Sequence, residues 1–175
     1  MRGGGIQGQP MSTPLRALIL AHADDPVAAR LARVSGAVLV HRGRDLVGRT
    51  RASRFWDGGG SRPLRNASPG NDALAPDVVH VRLPTHLLDR AAAACTLAGV
   101  ATCLCTPTDP APPAVLPTLH RRWHRFVFES QDEARSWRGL LPLGRLHVVG
   151  LSAGDAELAA DLAAVWTESI RMAGR

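Results

Sequence analysis

Apolar positions along this chain fall into two alternating patterns. Some stretches are near-continuous apolar runs, and between them apolar residues recur three and four apart. Leu15 to His22 (LRALILAH) predicts a first strand buried on both faces. His22-Ala23-Asp24-Asp25-Pro26 combines a turn, a cap and an early helical proline. Val27 to Val34 then predicts a short helix ending at Gly36, and Ala37 to His41 a second strand. The clearest unit runs from Asp77 to Asp109. Val78, Val79 and Val81 form a β-branched run after Pro76, and Thr85 can cap a helix. Leu87, Leu88, Ala91, Ala92, Cys95 and Ala98 recur at helical spacing, Gly99 stops the helix, and Val100 to Cys105 is a second apolar run. Two such runs joined by a helix imply parallel strands with a right-handed crossover.

Further on, Pro110 to Pro117 holds four prolines in eight residues and must be extended or turn-like. Thr118 to His124 suits a helical turn, and Arg125 to Ser130 (RFVFES) a fifth strand. Gln131 to Leu141 is amphipathic, with Ala134, Trp137 and Leu140 spaced by three. Leu146 to Leu151 is the sixth strand, and Ala153 to Met172 the last helix. That helix carries Leu158, Leu162, Val165, Trp166 and Ile170 on one face. Asp155 and Glu157 in its first turn and Arg171 in its last complement its dipole.

Six apolar strands alternating with helices predict an α/β fold: a three-layer, Rossmann-like, doubly wound, mostly parallel six-stranded sheet. The expected strand order is 3-2-1-4-5-6. Ligands in such sheets bind beyond the carboxyl ends of the strands, which directs attention to the loops after Leu20, His80 and Cys105. Residues 15–175 form a single domain on this reading. Met1 to Pro14 is Gly-rich and expected to be a disordered arm, with Met11 a possible alternative start. Residues from about 42 to 75 show little periodicity and include Gly58-Gly59-Gly60, Pro63 and Pro69. A flexible insertion is the simpler reading, and a lid or partner-binding loop anchored by Phe55 and Trp56 the alternative.

Composition changes this picture in two respects. The net charge is +6 and the chain has no lysine, so all 21 basic residues are arginine. A Schiff-base lysine and a P-loop lysine are excluded. The arginines do not line one helix face, which favours a scattered, solvated distribution over a nucleic-acid surface. The second respect is the odd cysteine count. Cys103 and Cys105 lie two apart on a strand, on one face, a poor arrangement for a disulfide or a zinc site. With Cys95 they read as small buried thiols of a reducing cytosol. No apolar run approaches the ~18 residues of a membrane span, and no signal-peptide centre precedes Pro14, so a cytoplasmic chain is expected.

Strong catalytic motifs are missing: the sequence has no GxGxxG, GxSxG or HExxH. His120 and His124 share a helix face but are crowded by Arg121, Arg122 and Arg125, which favours an exposed basic turn over a metal site. His80 lies on a central strand, where a satisfied core histidine is the plainer reading. His86 and Asp89 could pair across one helical turn. No metal or cofactor is expected.

Pro76-Asp77-Val78-Val79-His80-Val81 resembles the PDVVHVH segment in the N-terminal half of GT-B glycosyltransferases, especially the large retaining family 4. Gly99 to Asp109 resembles that family's GVPVVLTPHD strand, and Phe126 to Ser130 its vvfxS strand. Arg145-Leu146-His147-Val148-Val149 resembles the strand that closes the half, and the last helix the one that crosses back onto it. The resemblance covers about residues 15 to 151, in short pieces whose order and spacing carry it. It departs where the glycine-rich loop after the first strand is replaced by His22-Ala23-Asp24-Asp25-Pro26. Arg82 stands for the second histidine of HxH, and Thr108 for the histidine of TPHD.

By that resemblance the chain is an acceptor half without its donor half, since too few residues follow Leu151 for a donor domain. It would bind a sugar acceptor and need a separate glycosyltransferase donor subunit, or act as an accessory to a sugar transferase or as a homo-oligomer. Catalysis by the chain alone is not expected. The candidate ligand-binding residues are His22, Asp24, His80, Arg82 and Thr108. The competing reading is a non-catalytic regulatory module that binds anions weakly through Arg42, Arg44, Arg49, Arg51, Arg54 and the Arg121, Arg122 and Arg125 group. A remnant without a role is the third.

Overall fold

The computed structural model describes residues 15–42, 76–97, 100, 102–108 and 123–174. Six parallel strands form one sheet: β1 (Ala17–His22), β2 (Val38–Arg42), β3 (Val78–Leu83), β4 (Cys103–Pro107), β5 (Arg125–Phe128) and β6 (Leu146–Val148). The helices are α1 (Pro26–Ser35), α2 (Thr85–Leu97), α3 (Gln131–Ser136) and α4 (Asp155–Ala173). The Rossmann-like α/β fold expected from the apolar runs is the one observed.

Strand order differs from the expected 3-2-1-4-5-6. It is β2-β1-β3-β4-β5-β6, so β3 lies against β1 on the side away from β2. Strand order in a parallel sheet is set by where each crossover lands. Strands buried on both faces carry no alternation that marks their neighbours. The reversal of winding therefore falls between β1 and β3.

Alternate residues divide the interior into two layers. Val79, Val81 and Leu83 of β3, Cys103 and Cys105 of β4, and Phe126 and Phe128 of β5 face α2 and α3. Val78 of β3, Leu104 of β4 and Val127 of β5 face α1 and α4, where they meet Leu158, Leu162 and Trp166. The helix α4 buries the apolar stripe read from its sequence, with Ser169 added and Val165 and Ile170 half-covered. Its partner α1 starts at Asp25, whose carboxylate accepts from the Ala28 amide at 2.9 Å, and ends at Gly36 with φ of 70°.

Two elements are shorter than expected. The helix predicted over Gln131 to Leu141 stops at Ser136, and Gly139 turns the chain at φ of 85°. Leu141 rather than Leu140 then reaches the core, beside Trp137. β6 covers Leu146–Val148 only. Among the described residues no helix is long and apolar enough to cross a membrane. The expected arm at 1–14, the loop after Arg42 and the stop at Gly99 lie outside the described residues.

Candidate functional site

In a doubly wound sheet the crevice opens where winding reverses, beyond the carboxyl ends of the two strands that flank the reversal. Here those strands are β1 and β3. Arg82, next to last on β3, fills that position. Its Nε donates to Asp25 Oδ2 at 3.0 Å, and its Nη1 donates to Glu129 Oε1. The Arg82 side chain is 6% exposed, Asp25 13% and Glu129 22%, so the cluster is largely withdrawn from water.

Local structure makes both acids available. Asp25 caps α1 with one oxygen and takes Arg82 with the other. Glu129 follows β5 at the start of a capping box, in which Ser130 Oγ accepts from the Glu133 amide at 3.2 Å. Glu133 Oε2 in turn accepts from the Glu129 amide at 3.0 Å. One guanidinium thus joins the loop after β1 to the loop after β5 across the end of β4. Two carboxylates face a single cation, so no surplus positive charge remains to hold a phosphate.

His80 lies mid-strand, fully buried, in register with Ile19 and Leu104. Its Nε2 is 2.8 Å from Thr106 Oγ1, and its ring meets Trp166 edge-to-face at 6.4 Å. Burial, assisted by the Arg82 charge and opposed by Asp25, pushes its pKa down to about 3. A neutral, sealed imidazole holds the sheet to α4 and cannot exchange protons with a solvent-borne substrate without opening of the fold.

The other candidate residues are exposed. His22 ends β1, Asp24 lies in the turn after it, and Thr108 follows β4 with its amide bonded to the Leu83 carbonyl at 3.4 Å. The structure therefore brings Arg82 to Asp25, the neighbour of Asp24, and leaves His80 beneath that layer. Sequence reasoning singled out neither Asp25 nor Glu129. The signal was present: an arginine inside VVHVRL must bury its charge against acids, and acids follow both β1 and β5.

A second buried guanidinium lies at the opposite, amino edge. Arg125 opens β5 and donates to Glu168 Oε1 and to the Gly144 carbonyl, each at 2.7 Å, and contacts His147 Nε2. Its charge is matched by Glu168. His124 does not stand free on a basic turn: half-buried, its Nδ1 accepts from the Cys103 amide at 3.1 Å. No cluster of three His, Cys, Asp or Glu among the described residues could hold a metal. His120, Arg121, Arg122 and the arginines from 44 to 54 lie outside the described residues, as does the Asp89 side chain of the possible His86 pair.

A surface depression of about 470 Å³ runs along the outer side of α4, lined by Ala163, Ala164, Thr167, Glu168 and Arg171. One helix alone forms it, and it lies toward the amino edge, away from the reversal point. Comparison of the chain with protein-family models and with curated proteins returns no match.

Proposed function

We propose that this chain is a non-catalytic accessory domain of the glycosyltransferase acceptor-half type, which works through a partner polypeptide that carries the nucleotide-sugar site. The observation that supports this most is the filled crevice. Where a Rossmann-like sheet offers backbone amides and positive charge to a nucleotide, this chain presents a guanidinium already bound by two carboxylates. His80, the histidine of the segment that resembles the family, is sealed and neutral, and Thr108 stands where the family has the TPHD histidine.

The role as an anion-binding module has less support. Arg82 and Arg125, the two buried arginines among the described residues, are both matched by acids. The test is thermal stability against nucleotide sugars, free nucleotides and polyanions at low and high salt, with release of nucleoside diphosphate followed in parallel. The accessory role predicts no salt-resistant stabilisation and no turnover by the chain alone. A melting temperature raised in high salt by one nucleotide sugar would sink it. A shift with polyanions only, lost in salt, would favour the anion-binding module instead.

A further inference from the structure

The helix α4 turns Leu158, Leu162 and Trp166 inward against the sheet. Its opposite side is exposed and carries Ala160, Ala164 and Thr167 along its midline. A solvated helix face ordinarily presents charged and long polar side chains there. On this midline charge stands only at the two ends, with Glu157 before the small residues and Arg171 after them. Glu168, beside it, is already held by Arg125 at 2.7 Å. The surface depression of about 470 Å³ lies on this side of the helix.

Large apolar side chains continue the patch. Met172 is 47% exposed and Leu143 67% exposed. Both flank the last turn of α4. Met172 Sδ is 2.6 Å from Arg125 Nη2, and the same guanidinium donates to the carbonyl of Gly144, the residue after Leu143.

We propose that this side of α4 is the interface of a two-fold homodimer, in which α4 of one copy packs antiparallel against α4 of a second. The charge order argues for a second copy rather than for an unrelated partner. Glu157 and Arg171 lie seven residues on either side of Ala164, about two turns each way, so all three share one face. Antiparallel pairing about Ala164 sets Glu157 of each copy against Arg171 of the other, and the contact occurs twice. It also sets Asp161 opposite the second copy's Thr167, whose hydroxyl can donate to the carboxylate. Parallel pairing would set Arg171 against Arg171. Small side chains at the crossing let the helix axes approach closely, and Leu143 and Met172 extend the apolar contact at each end.

The test is sedimentation equilibrium of the full chain over about 1–500 µM at low salt, a range suited to an interface of one helix per copy. A monomer–dimer equilibrium is expected, weakened by high salt. Arg171→Glu and Glu157→Arg should each weaken self-association about tenfold. Mixing these two variants should restore dimers, since one copy then carries acids at both ends and the other bases. Ala164→Glu should abolish dimers by setting two carboxylates on the axis. Ala164→Cys should cross-link to its own copy under mild oxidant, while the three native thiols are buried. All three substituted positions are exposed, so folding is not at stake. A monomer at the highest concentration, a dimer unmoved by the charge reversals or by Ala164→Glu, or a mixture that stays monomeric would each overturn the proposal. The proposal is independent of the accessory role, because no nucleotide sugar or transferase enters the measurement.

Discussion

The two faces of the sheet are built from the same strands and stabilised in different ways. On the α2 side, β3 contributes Val79, Val81 and Leu83, which pack in a cluster of apolar residues and thiols, with Thr85 a buried polar residue at the start of α2. On the α4 side, the intervening residues of the same strand are Val78, His80 and Arg82, joined by Thr102 and Thr106 near β4 and Arg125 on β5. The first layer rests on packing, whose worth follows area and volume and is indifferent to pH. The second adds to its apolar packing matched charge and hydrogen bonds, which fail when one partner is removed or protonated. Among the described residues both buried guanidinium groups thus share one layer, the layer that includes the crevice.

The largest expected effect breaks the apolar layer. Phe128→Ala should cost about 4 kcal/mol in urea unfolding, with the same loss at pH 7 and pH 5. A loss that varied strongly with pH would mean the two layers are not separable. Next, Arg82→Met should cost about 3 kcal/mol by leaving two acids without their cation. Adding Asp25→Asn and Glu129→Gln to it should recover most of that loss, since Asn keeps the α1 cap. If the triple variant is no better than Arg82→Met, the cluster is packing rather than charge.

The third effect is acid sensitivity. A histidine held neutral in the fold binds its proton only in the unfolded chain between about pH 6.5 and its folded pKa of about 3. Stability is therefore full above pH 6.5 and falls as pH drops, by roughly 2 kcal/mol between pH 6.5 and 5. His124 and His147, half-buried with lowered pKa values, act in the same direction. The check is the difference in acid slope between wild type and His80→Leu; equal slopes would remove His80 as the cause. The smallest effect lies outside both layers. Ser130→Ala removes an exposed cap and should cost about 1 kcal/mol at either pH.

Much of this division was readable from the residues. Each strand and helix of the described residues appears in the periodicity, because runs buried on both faces and stripes spaced by three and four carry distinct signals. The position of β3 beside β1 was not readable, since nothing in VVHVRL names its neighbour. Arg82 stood out only through a family resemblance, whereas its partners follow from a simpler requirement, that a buried cation must find acids. Gly139 could have marked the early end of α3, had its turn been weighed against the spacing of Trp137 and Leu140.

The Arg82 cluster also has a bearing on how the chain acquires its structure over time. Asp25, Arg82 and Glu129 lie on three segments far apart in sequence. During synthesis β1, β3 and β4 emerge before Glu129, so an early sheet holds a guanidinium with one of its two acids. Closure of the cluster needs β5, and a contact between such distant segments carries the entropy of ordering the chain between them. The cluster makes completion cooperative: a chain stalled before β5 carries an incompletely neutralised charge at its centre, and only the finished sheet satisfies it.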